Sequence, residues 1–114
     1  MGYLDWRERN KYRIASRYAT YIFGRTLPYY HKVNTFKVLP VEDMIIEIEG
    51  KLENCFVEGY MVPRYPFSIY VNRELPRAEF FKTVKHEVWH SIVSISGLKL
   101  EHSVEEGMAD RYSK

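Results

Sequence analysis

The segment HEVWH, residues 86–90, carries two histidines four positions apart with a glutamate directly after the first. On an α-helix, residues i and i+4 differ by about 40° in direction and about 6 Å in height, so His86 and His90 project from one face and can share a metal ion. Glu87, turned by about 100° from His86, flanks that face. Zinc takes neutral imidazole nitrogens, and a catalytic site uses three protein ligands while leaving a fourth position for water. A carboxylate beside that water can accept its proton, which is why hydrolytic chemistry wants H-E-x-x-H at this spacing. The bland counterpart is a solvated helix whose histidines hold nothing.

A third ligand has to come from elsewhere, and EEGMAD at 105–110 offers one. From His90 a helix would run about 9 Å further to Ser96, and the next five or six residues span at most about 20 Å, so a return to the metal is feasible. Glu106 is the preferred third ligand, with His102 and Glu105 as alternatives. Asp110 stands one turn beyond Glu106 on the same face, placed to accept the free N–H of a ligating histidine and fix its tautomer. Ser103 and Glu106 also fit a capping box, which accounts for neither Asp110 nor HEVWH. His102 is a candidate donor to a tetrahedral oxyanion, and Tyr112 is a second candidate for that role. A single histidine or tyrosine near a helix end is more often structural.

The elements that must position these residues follow from pattern and punctuation. Asp5 can cap a helix through WRERNKYRIASRYATYIF, with Trp6, Ile14, Tyr18, Tyr21 and Ile22 near helical spacing and Gly24 as its stop. Residues 26–40 read as irregular, with a short strand over 33–39. Val41, Met44, Ile45, Ile48 and Leu52 fit a helix face after Pro40, although MIIEI alone also suits a strand. FVEGYMV (56–62) and FSIYV (67–71), bounded by Pro63 and Pro66, read as two strands; FSIYV is the candidate edge on which an extended peptide would lie antiparallel, with a strand fully paired inside the sheet as the equal alternative. The helix carrying HEVWH begins near Pro76 and ends before Gly97, with Val84, Val88, Ile92 and Ile95 in its apolar stripe. A last helix covers about 104–112.

A chain of 114 residues, 46% hydrophobic and 28% charged, is one compact domain spanning 1–114 with room for one centre. Net charge is +2, with Lys and Arg interleaved among Glu and Asp, so no nucleic-acid footprint is expected. No apolar run reaches the roughly 18 residues that span a bilayer, and the first residues have no signal-peptide core. No membrane association is expected. The lone Cys55 excludes an internal disulfide and suits a reducing, cytoplasmic setting. Cys55 reads as a core thiol, a fourth ligand that enforces latency being the alternative. Nothing fixes the oligomeric state.

On these residues the chain resembles the gluzincin zinc metallopeptidases, whose pattern is HExxH on one helix and a glutamate in ExxAD or ExxxD on the next; here they read HEVWH and EGMAD. The resemblance implies His86, His90 and Glu106 as zinc ligands, Glu87 as general base and acid, and Asp110 as their support. The element order, an N-terminal helix, a small β-sheet, an active-site helix and a glutamate helix, is similar to the minigluzincins. Through them it resembles the catalytic domains of membrane-bound peptidases of the HtpX kind, without their membrane helices. IYVN at 69–72 ahead of HExxH also resembles the ImmA/IrrE group. The expectation is therefore an α+β, minimal zincin-like domain that uses Zn2+ to hydrolyse peptide or protein substrates, in a form open to latency. The alternative is a zinc-binding regulatory or interaction domain without peptidase activity, since a metal staple suits so small a chain.

Overall fold

A computed structural model describes residues 6–27, 35–41 and 44–114, with the backbone alone at positions 6, 44–46 and 54–55. It is a small α+β domain of three helices and five strands in these residues: α1 (Trp6–Thr26), β1 (Lys37–Val41), β2 (Met44–Ile48), β3 (Lys51–Cys55), β4 (Gly59–Met61), β5 (Ser68–Asn72), α2 (Arg77–Ser96) and α3 (His102–Tyr112). One sheet has the order β1-β5-β4, with β1 parallel and β4 antiparallel to β5; β2 and β3 form a separate two-stranded hairpin.

The core lies between this sheet and two helices. From β5 it takes Ile69 and Val71, from α2 Phe80, Val84, Val88 and Ile92, and from α1 Tyr12, Ala15, Ala19 and Phe23. The α1 stripe differs from the expected one: Ile14 and Tyr21 face solvent, because the small Ala15 and Ala19 bring the helix close to the sheet. Gly24 does not end α1, which continues to Thr26. A single glycine costs a helix only about 1 kcal/mol, and the Leu27 N–H still donates to Phe23 O at 2.8 Å. The expected Asp5 cap lies outside the described residues.

Helix α1 also covers one edge of the sheet. Ser16 Oγ accepts the Val38 N–H and Thr20 Oγ1 the Phe36 N–H, both at 2.9 Å, so the backbone donors of the β1 side that β5 does not reach are satisfied. The expected strand over 33–39 is found as β1, displaced toward the C-terminus, with 33–34 outside the described residues. FSIYV is not the edge. As β5 it is central, and the short β4, three residues of the expected 56–62 strand, carries the other edge. Among the described residues no strand pairs with the outer side of β4.

The helix expected over 41–52 is the β2–β3 hairpin. Ile48 faces Lys51 across a two-residue turn in which Glu49 and Gly50 have φ of 51° and 79°. Two successive residues of positive φ make the tight turn whose twist matches paired strands, and Glu-Gly supplies it with glycine at the second position. The β-branched Ile45, Ile46 and Ile48 favour the extended form, and this local chemistry outweighs the helical spacing.

Two details set the wall of the site. Buried Asn72 donates from its side-chain amide to Val57 O at 2.9 Å and from its backbone to Glu58 O at 2.7 Å, holding the approach to β4. At Gly59 the backbone lies so close to α2 that a Cβ would sit 2.7 Å from Tyr70 O and 2.8 Å from Thr83 Cγ2. Gly59→Ala is therefore expected to cost about 1–3 kcal/mol of stability, read as a lowered urea midpoint, because backbone must move to admit the methyl. An unchanged midpoint would show that β4 is not held this tightly against the helix.

Candidate metal centre

Helix α2 is fixed by its apolar side. Phe80, Val84, Val88 and Ile92 are buried, and Gly97 at φ 73° ends the helix in the left-handed conformation expected of it. With that side anchored, His86 and His90 turn toward α3. Helix α3 starts at His102, two residues earlier than expected, so Ser103 lies inside its first turn and the Ser103–Glu106 capping box does not form; the cap position is Glu101, without a side-chain bond. Buried Ala109 packs α3 inward and leaves Glu105, Glu106 and Asp110 toward α2.

His86 Nε2 and His90 Nε2 are 3.2 Å apart, and the two oxygens of Glu106 lie 3.2 Å from the first and 3.0 Å from the second. His86, His90 and Glu106 are thus close enough to hold a metal ion. A tetrahedral ion with bonds of about 2.0–2.1 Å spaces its ligand atoms about 3.3–3.4 Å apart, close to the separations seen. On the far side of each ring, Nδ1 meets a carboxylate: Asp110 Oδ1 at 3.3 Å for His86, and Glu105 Oε2 in a close contact for His90. If both Nδ1–H groups are donated outward to these carboxylates, the two Nε2 lone pairs face each other and Glu106, the arrangement a metal ion needs. The donor set, two imidazoles and one carboxylate, is one that a metal of the zinc type accepts.

Glu105, weighed from the sequence as a ligand, is instead the partner of the His90 ring. The sequence holds a partial signal for this, since Asp110 can serve only one ligating histidine and the second needs its own acceptor. If these residues hold a metal, Glu105→Ala is expected to weaken its binding by about 10–100-fold without changing the stoichiometry, measured by competition with a chelating dye. Unchanged affinity would remove Glu105 from the centre.

Glu87 is only 8% exposed, and among the described residues its carboxylate has no hydrogen-bond partner. Burial pushes its pKa up to about 7; the neighbouring His90 works against this shift and Glu106 adds to it. A carboxyl group with such a pKa suits proton transfer near neutrality. Two cavities meet at Glu87 and Glu106. One, of about 480 Å³, runs past His86 toward Glu58 and Glu79; the other, of about 300 Å³, passes His90 and His102 toward Tyr60 and Met61.

His102 is therefore brought to the edge of the centre, whereas Tyr112 is not. The Tyr112 hydroxyl is 3.0 Å from Thr26 Oγ1 and 3.4 Å from Ile22 O, and its ring packs on Trp89, so it ties α3 to α1. The assignment of Tyr112 to an oxyanion is corrected on that ground. The Cys55 side chain lies outside the described residues. No described helix is long and apolar enough to cross a membrane. No family model, curated protein or solved structure matches this chain.

Proposed function

We propose that the protein is a zinc-dependent metallopeptidase of the gluzincin type, built on a minimal zincin-like scaffold. The observation that carries this reading is the convergence of two imidazole Nε2 atoms and the Glu106 carboxylate beside a buried, unpartnered Glu87. A zinc ion held there would supply Lewis acidity, lowering the pKa of a water at its open position and polarising the substrate carbonyl.

The chain's own residues do the rest. Glu87 accepts the proton as water attacks the carbonyl carbon, then delivers it to the leaving amine. Asp110 and Glu105 hold the two rings by their Nδ1–H groups and increase the basicity of the opposite nitrogens. His102, which lines the second cavity, is our candidate donor to the developing oxyanion. The outer edge of β4 offers N–H and C=O groups to an extended peptide, which would add as a strand beside Glu87.

Elemental analysis of the purified protein tests the metal, with about one equivalent of zinc expected. Hydrolysis of an unstructured protein such as casein tests the activity. It should vanish on treatment with a chelator and return when zinc is restored. A stoichiometric metal with no hydrolysis under any condition would instead favour a zinc-stabilised interaction domain.

A further inference from the structure

We propose that the site cuts on the N-terminal side of lysine or arginine, the basic side chain entering the acidic cavity beside His86. The inference rests on the metallopeptidase reading and adds a substrate class to it. The cavity of about 480 Å³ is lined by Glu58, Glu79 and Asp110, against the single ammonium of Lys82. Among the described residues, Glu58, Glu79 and Lys82 form no ion pair. Glu87, more than nine-tenths buried and without a hydrogen-bond partner among the described residues, also lines this space. A cation would be the complement of such a lining. The second cavity differs, with Tyr60, Met61 and Pro63 along one side.

Strand direction decides which side of the cut each cavity receives. β4 runs from Gly59, which borders both cavities, to Met61, which borders only the second. Its partner β5 is antiparallel, and an antiparallel peptide on the free edge would extend the sheet with the more stable hydrogen-bond geometry. Such a peptide runs opposite to β4. Its N-terminal part lies over Met61 and its C-terminal part leads past Gly59 toward Glu58. The residue following the scissile bond therefore places its side chain in the acidic cavity. Water gives its hydroxyl to the carbonyl carbon and a proton to the nitrogen as the C–N bond breaks, leaving a new carboxylate and a peptide that begins with the basic residue.

Digestion of a mixed peptide pool by the zinc-loaded protein, read by mass spectrometry, should enrich Lys and Arg immediately after the cut by about fivefold, the size of a partly solvated charge pair. Glu58 and Glu79 are exposed, so Glu79→Gln and the pair Glu58→Lys with Glu79→Lys should fold normally. The first should weaken the preference and the second should reverse it toward acidic residues. Binding gives an independent readout. Zinc-loaded Glu87→Gln, titrated calorimetrically with matched peptides carrying Arg or Leu at that position, should hold the Arg peptide about tenfold tighter at low salt, the gap narrowing as salt rises. Cleavage without charge preference, or with basic residues before the cut, overturns this inference and leaves the metallopeptidase reading standing. Absence of any cleavage by the zinc-loaded protein, with equal binding of both peptides, overturns both.

Discussion

If the protein is the metallopeptidase proposed, Glu87→Gln is expected to keep its zinc and lose peptide hydrolysis by about a hundred- to ten-thousand-fold, the range that a positioned acid–base group contributes. The amide preserves the shape of the side chain but cannot accept a proton from water. The loss should fall mainly in kcat, with KM nearly unchanged, because Glu87 acts on the reacting proton and does not anchor the peptide. Equal rates for parent and variant would end the general-base assignment. The same substitution has a second signature in protein freed of metal. Burial raises the carboxyl pKa from 4.5 to about 7, so the folded state retains a proton that the unfolded chain releases. Glu87 therefore has no effect below about pH 4.5 and destabilises increasingly as pH rises to 7, by about 3 kcal/mol at the upper end. Urea unfolding of metal-free Glu87→Gln should lack this decline between pH 4.5 and 7.

Removing a ligand should have an effect of similar size on a different measurement. His86→Ala and Glu106→Ala are each expected to fall well below one equivalent of zinc after dialysis, because two remaining donors do not fill the three-ligand set. Stability should report the same loss. For the parent, zinc at a hundred times its dissociation constant adds about 2.7 kcal/mol, which raises the unfolding temperature of a domain this size by about 10 °C. Neither variant should respond to zinc in this way. One full equivalent in both would refute the triad.

The parts of the site that could be read from the sequence are those set by local helical geometry. The spacing of His86 and His90 fixes their shared face whatever surrounds them, and Glu106 and Asp110 are related by the same turn of α3. The structure brings all four together. What escaped depended on longer-range partners. Whether FSIYV is central or at the edge is decided by β1, whose pairing with β5 leaves no local mark on either segment. Ile48 and Leu52 satisfy a helical repeat as well as a strand, and the positive φ of Glu49 and Gly50 tips the balance. Tyr112 went astray because Thr26, its partner, is 86 residues away. Glu105 pairs with His90 only through the way α3 crosses α2, which no local spacing fixes.

The β2–β3 hairpin has a practical meaning for this molecule. Its strands find their ladder partners in each other, and Glu47–Glu53 all face solvent; none of these residues reaches the triad or the cavities beside it. Chain length at the Glu49–Gly50 turn is thus decoupled from the chemistry. It is the natural place to graft a reporter, an affinity handle or a targeting module, and the place where related sequences could diverge most freely while HEVWH and EGMAD stay in register.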